Sequence, residues 1–240
     1  MDVPSGQTFD AYDRRILSLM ARYGFIRWSD RLVPFTSGVE SHVYVGGRDD
    51  LTDHPDLEWL LGLKMAQRVL EDAYARKDLR QQCLIGIPLA GTALAQAAAL
   101  VDFARWRQIA LDDGDGPRII HRVLRGERKT HGLHQTWVDG KPDPARHTYW
   151  FLDNTVTDGG TKLEAREHLK EDGYPVQDMP TLIVVDRQQG GIRRMEQAGF
   201  SRIVVAYYLL DIIHAFGEMK LWPQARVQAV EEEIKTHQLV

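Results

Sequence analysis

Tyr149-Trp150-Phe151-Leu152-Asp153-Asn154-Thr155-Val156-Thr157-Asp158-Gly159-Gly160-Thr161 is the stretch on which the fold turns. Four large apolar residues read as a buried strand that ends at Asp153. A turn of small polar residues and two glycines follows, and a helix starts near Thr161. Glycines let the backbone approach an anion closely, while first-turn N–H groups and the helix dipole favour a phosphate there. Thr157 and Thr161 add hydroxyl donors, and Asp153 at the strand tip can accept hydrogen bonds from ribose hydroxyls. No Gly-Lys-Ser/Thr follows, so this is not the Walker loop. The acid precedes the glycines, so it is not the dinucleotide fingerprint either. An acid-before-phosphate order suits a phosphorylated sugar read by one continuous loop.

Outward from this unit, strands and helices alternate. The strand at 148–152 leads to a helix at 160–172, a strand at 181–185 to a helix near 191–198, and a strand at 202–207 to a helix near 209–217. A last helix is expected at about 223–237. Upstream, a strand at 83–87 runs into a small-residue helix at about 91–104, and 118–124 forms another strand. This order predicts an α/β fold, a mostly parallel twisted sheet with helices on both faces. Ligands gather at the carboxyl ends of such strands. Before the core, residues 9–28 show helical spacing through Tyr12, Ile16, Leu19 and Met20. Residues 31–50 carry two short strands, and a helix spans 55–75. The acidic run Asp49-Asp50…Asp53 is expected to cap that helix. The chain is therefore divided into a small N-terminal hood of helix and short strands, 1–50, and a core, 51–240. Segment 125–147 is polar, rich in Gly and Pro, and without apolar period, and reads as a long mobile loop.

Bulk properties narrow the partners. The chain has 240 residues, 43% hydrophobic and 27% charged, enough for a sizeable core. Lys and Arg number 30 against 34 Asp and Glu, a net charge of −4, with no basic excess for a nucleic-acid backbone. The single cysteine, Cys83, excludes an internal disulfide and a multi-cysteine zinc site, and opens an apolar strand as a buried residue. The N-terminal residues Met1 to Gly6 lack the basic-then-apolar order of a signal peptide. The apolar stretch around 87–101 contains Pro88 and Gln96 and is too short to span a bilayer, so a soluble cytoplasmic protein with no membrane partner is expected. Nine histidines form no zinc helix: Glu167-His168 has no second histidine at i+4, and His131 and His134 make only a two-ligand clip.

The strand–acid–glycine turn resembles the donor-binding motif of type I phosphoribosyltransferases, with Asp153 and Asn154 on its acid pair and Thr157, Asp158, Gly159, Gly160 and Thr161 on its 5-phosphate loop. Asn154 departs from the usual second carboxylate. Arg125-Gly126-Glu127-Arg128-Lys129-Thr130-His131-Gly132 resembles the mobile catalytic loop of the orotate phosphoribosyltransferases, with Gly126 in place of a second basic residue and Arg128 adding charge three residues later. Leu182-Ile183-Val184-Val185-Asp186-Arg187-Gln188-Gln189-Gly190-Gly191 resembles the family's base-side segment. Phe35-Thr36-Ser37-Gly38-Val39-Glu40-Ser41 is similar to its base-covering segment, with Thr36 at the usual lysine. Gly86-Ile87-Pro88-Leu89-Ala90-Gly91-Thr92-Ala93 lies where the family binds pyrophosphate, with Ala90 where some members carry lysine. The resemblance runs from about residue 31 to about residue 216.

The resemblance implies transfer of ribose 5-phosphate from 5-phosphoribosyl-1-diphosphate to orotate. The catalytic residues would be Lys129, His131, Arg125 and Asp153. The donor would be bound by Asp153, Asn154, Thr157, Asp158, Gly159, Gly160, Thr161, Ala90 and Gly91, and the base by Arg187, Thr36, Ser37 and Tyr44. It implies Mg²⁺, held mainly by donor oxygens with Asp153 beside them, and a homodimer whose loop reaches the neighbouring site. Cations on a closing loop stabilise a departing pyrophosphate and exclude water. Two alternatives stay open: a transferase for another base, given Thr36, and a donor-sensing regulatory protein of the same fold that does not catalyse.

Overall fold

The computed structural model describes residues 1–34, 38, 40–47, 49–109, 118–128 and 136–237. Five strands, β3 (Gln81–Gly86), β4 (Ile119–Val123), β5 (His147–Val156), β6 (Thr181–Asp186) and β7 (Ile203–Tyr208), form one sheet in the order β4-β3-β5-β6-β7. Every pair in it is parallel. Helices α4 (Ala90–Ile109), α5 (Gly160–Glu171) and α6 (Gly191–Gln197) each follow one of these strands, and α7 (Leu209–Glu218) and α8 (Gln224–His237) close the chain.

Strand periodicity sorts the side chains onto two faces. Leu84, Trp150, Leu152, Leu182 and Val184 pack with Leu61 and Met65 of α3 (Pro55–Ala75), Leu94 and Ala98 of α4, and Ile212 and Phe216 of α7. Their neighbours Cys83, Ile85, Tyr149, Phe151 and Ile183 face Ala165 and Leu169 of α5 and Met195 of α6. Both faces are covered, as a parallel sheet requires. The buried Trp150 indole donates to Gln82 Oε1 at 2.9 Å, so its polar atom is satisfied within the core.

The first helix is shorter than its periodicity suggested. Asp10 and Asp13 form a capping box at the start of α1 (Ala11–Arg22). Gly24, at φ +76°, ends it, and β1 (Ile26–Pro34) begins two residues later. β1 pairs antiparallel with β2 (Glu40–Val45) as a separate two-stranded sheet. The acidic run does not cap α3. Asp49–Thr52 forms a one-turn helix, α2, and the N-cap of α3 is His54, with Pro55 opening the helix instead of a side-chain cap.

Residues 136–146, expected in a long mobile loop, are instead held to the core. Val138 is fully buried and its N–H reaches Asp172. Trp137 stacks on His168 at 3.5 Å, and Tyr174 donates to the Gly140 carbonyl. These anchors sit in a segment without apolar period because each uses one residue and a backbone group, not a repeating face. Among the described residues, no helix is long and apolar enough to cross a membrane.

Chain order places one crevice. After β3 the chain moves outward to β4, then returns to the other flank of β3 as β5. The loops leaving β3 and β5 therefore diverge, opening a gap at their carboxyl ends. On the covered face, α3 and α4 meet closely at Gly62, where a Cβ would stand 2.8 Å from the Ala97 carbonyl carbon. Gly62→Ala is expected to lower unfolding free energy by about 1–3 kcal/mol, the range for overpacking a close helix contact; urea denaturation measures it, and a variant as stable as the parent would contradict this packing.

Candidate functional site

A cleft of about 260 Å³ opens between the loops after β3 and β5. It is lined by Tyr44 and Gly46 of the hood, Pro88, Leu89 and Ala90 after β3, and Asp153, Asn154, Thr157 to Gly159, Thr161 and Lys162 from the β5 unit. Glycines make it. A Cβ on Gly86 would overlap the Gly91 carbonyl, and one on Gly91 would overlap the Leu152 carbonyl, so backbone lies on backbone there. The Ile87 N–H donates to Leu152 O at 2.8 Å, and the Pro88–Leu89 peptide is cis.

The strand does not end at Asp153. It pairs with β6 as far as Val156 opposite Asp186, because Asp153, Thr155 and Val156 all keep ladder partners. Asp153 is thus held rigidly inside the sheet, 6% exposed. Its Oδ2 lies 2.5 Å from Lys162 Nζ, and its Oδ1 accepts the Asn154 N–H at 2.8 Å. Lys162 is equally buried and also donates to the Thr155 carbonyl. The sequence reading passed over this lysine. A signal existed: a cation in the first turn of a helix opposes the dipole and calls for an acid partner. Asn154 is spent on the hood, its Nδ2 donating to Gly46 O at 2.5 Å.

The turn itself has the expected build. Gly159 sits at φ +80° as the N-cap of α5, and a Cβ there would press on Met195 Cγ at 3.0 Å. It already carries an anion of its own, since Asp158 Oδ1 accepts the Gly160 N–H at 3.2 Å and Oδ2 pairs with Arg194 at 2.7 Å. Both partners are more than a third exposed, so the pair contributes little stability and exchanges readily.

Arg125 lines a smaller hollow of about 130 Å³ with Gly126, Glu164 and His168. Pro88 and Thr161 belong to both hollows, so the two adjoin. Its guanidinium meets the Asp139 carboxylate. Lys129, His131, Thr36 and Ser37 lie outside the described residues. Tyr44 reaches the cleft, with the Arg27 guanidinium 4.4 Å from its ring centroid.

Arg187 lies behind the cleft. The sequence put it on the base side of the site, yet it is 1% exposed and absent from the cleft wall. Its Nη1 donates to Val43 O at 2.9 Å and its Nε to Gln189 Oε1 at 3.0 Å. It fastens the hood to the end of β6. Burial lowers its pKa to about 10, against the opposing pull of Glu233. A larger hollow of about 650 Å³ lies between the hood and α8, lined by Glu40, Glu232 and Glu233, and that charge is wrong for a phosphorylated ligand. No described set of three or more His, Cys, Asp or Glu residues is arranged to hold a metal ion.

No family model matches the chain. It is 24% identical over 206 residues to a protein of Nostoc sp. named orotate phosphoribosyltransferase, covering 86% of this chain and 87% of that one. It is 25% identical to a protein of the same name from Pyrococcus abyssi, over 77% of this chain and 87% of that one. Its fold is that of the type I phosphoribosyltransferases. The orotate phosphoribosyltransferase structures of Aeropyrum pernix and Mycobacterium tuberculosis superpose with TM-scores of 0.58 and 0.57 at 18% and 22% identity, covering 84% and 83% of this chain and 99% and 97% of theirs. The Leishmania donovani UMP synthase structure gives a TM-score of 0.69 at 17% identity over 93% of this chain, which spans 42% of that longer one.

Asp186, beside Arg187 at the end of β6, supplies a pH test of the burial there. Burial raises its pKa to about 6, partly offset by the Gln188 N–H it accepts at 2.8 Å. The unfolded carboxyl titrates near 4, so between these values the native state keeps a proton that the unfolded state releases. Stability from this group is full below about pH 4 and falls by about 2–3 kcal/mol as pH rises past 6. Asp186→Asn retains the acceptor and does not titrate. It is expected to melt higher than the parent at pH 8 and level with it near pH 4; identical pH profiles for the two would refute the assignment.

Proposed function

We propose that this chain, built on the type I phosphoribosyltransferase fold, transfers ribose 5-phosphate from 5-phosphoribosyl-1-diphosphate to orotate, giving orotidine 5'-phosphate and pyrophosphate. The observation that carries the reading is the crevice between β3 and β5, where a buried carboxylate, Asp153, stands at the foot of a glycine turn that opens a helix. The relatives' names add the substrate pair, and a second Mycobacterium tuberculosis structure of this fold is described as a complex with the same donor.

Each part of the donor meets suitable chemistry. The N–H groups of the 157–161 turn, with the Thr157 and Thr161 hydroxyls, take the 5-phosphate, and Arg194 exchanges Asp158 for it. Asp153 accepts a ribose hydroxyl. The backbone around Ala90 and Gly91 cradles the diphosphate. Arg125, with Lys129 and His131 of the following loop, offsets the charge of the departing pyrophosphate while the C1–oxygen bond breaks and a ring nitrogen bonds to C1. Tyr44 flanks the base from the hood. Base orientation is assigned to Tyr44, Thr36 and Ser37 together with Arg187, whose Nη1 also holds the Val43 carbonyl. Magnesium, when bound, would supply positive charge to the diphosphate oxygens; among the described residues the 153–154 position offers it no open carboxylate pair, since Lys162 takes Asp153 and position 154 is an amide. We read the protein as a cytoplasmic homodimer whose basic loop, expected within 125–147, serves the neighbouring site. The same commitments of Asp153 and Asn154 favour one second reading, a donor-binding regulator without turnover.

Loss of orotate absorbance in the presence of donor separates these readings: turnover supports the transferase, whereas donor binding without turnover of any base supports the regulator. Lys129→Ala is expected to lower kcat by several orders of magnitude with an unchanged melting temperature, and normal turnover would remove Lys129 from the mechanism. Asp158→Asn is expected to lower the donor KM several-fold, because the phosphate no longer displaces a carboxylate from the turn. An unchanged donor KM would show that Asp158 does not compete.

A further inference from the structure

We infer that Lys162 is the resident counter-ion of the donor site, a ligand-contacting residue that neutralises Asp153 and frees the ribose end of the site from dependence on a divalent cation. The inference rests on the reading of this cleft as a donor site and extends it. Three observations converge. Lys162 Nζ lies 2.5 Å from Asp153 Oδ2, and both residues are 6% exposed, so the pair is shielded from water. The ammonium is fixed from a second side by the Thr155 carbonyl, which leaves one of its three N–H bonds for a ligand. Lys162 also lines the cleft itself.

The neighbouring position completes the argument. Asn154 brings no charge, and its amide is spent on Gly46. Asp153, Asn154 and Lys162 therefore sum to zero charge, where a second carboxylate at position 154 would leave the same three positions at −1. Two adjacent carboxylates repel each other and draw in a hard dication. A carboxylate already holding an ammonium does not. Lys162 also stands where helix polarity disfavours a cation, in the first turn of α5, so its placement depends on Asp153. In this arrangement the lysine holds the carboxylate in one orientation, and the remaining N–H contributes directly to a ribose hydroxyl or phosphate oxygen.

Ribose 5-phosphate tests this, because it lacks the diphosphate that would itself bring magnesium. Calorimetry with the full chain should give the same Kd, within about twofold, in EDTA and in millimolar Mg²⁺. Lys162→Met should weaken binding at least about tenfold in EDTA and regain part of it with Mg²⁺, while Lys162→Arg should keep metal-independent binding. Asp153→Asn with Lys162→Met removes both charges and serves where the single variant is unfolded; it should bind weakly and ignore Mg²⁺. Parent binding that strengthens tenfold or more with Mg²⁺ overturns the inference, as does undiminished binding by Lys162→Met in EDTA. A parent that fails to bind ribose 5-phosphate in either buffer removes the donor-site reading itself and the inference with it.

Discussion

Backbone resting on backbone where the loop after β3 crosses β5 is the constraint from which the site follows. Gly86, Gly91 and the Leu152 carbonyl leave no room for a side chain between them. That contact fixes the start of α4 against β5 and brings Ala90 to the edge of the same crevice as Asp153. A sheet order that reverses at β3 opens a gap there in any case. The glycines decide how narrow it is and how much bare backbone N–H faces it. The site is thus built first of main chain, and its side chains are additions.

The hood shares no strand with this frame; Phe25, Ile26, Val43 and Val45 are buried in the core cluster, and polar ties add to that packing. Arg187 reaches Val43, Asn154 reaches Gly46, and the His42 N–H donates to Glu233 of α8. Each tie joins the β1–β2 pair to an element near the carboxyl ends of the main sheet. Arg187 and Asn154, two residues with ligand-binding character, each make one of these ties.

The strand and helix order of the core was legible because its signals are local and repetitive. Runs such as 181–185 and 203–207 are apolar and bounded by turns, and Pro55 marks the start of α3 to the residue. Spacing alone over-extended α1 to residue 28, because Gly24 in a left-handed conformation outweighed periodicity. The 149–161 stretch announced an anion turn after a carboxylate. It did not reveal that Asp153 stays within the ladder, since strand continuation depends on β6 supplying partners 30 residues away. The destination of Arg187 was hidden for the same reason. A guanidinium after a strand looks identical in sequence whether it meets a ligand or the Val43 carbonyl across 144 residues.

Electrostatics give the site its individual character. A cleft for a multiply charged donor is expected to be strongly positive, yet its described lining combines Asp153, Asp158 and Lys162, with Arg194 behind and Arg125 in the adjoining hollow. Each acid is matched by a cation at hydrogen-bonding distance, so the resting cleft is close to neutral. Such pairing lowers the cost of holding charges out of water. It means that ligand anions gain by exchange, taking a cation from an internal carboxylate, and not by filling an open positive field. The buried pair at Asp153 resists this exchange because it is shielded, whereas the exposed pair at Asp158 yields to it. The cleft then has a fixed end at Asp153 and an exchangeable end at Asp158.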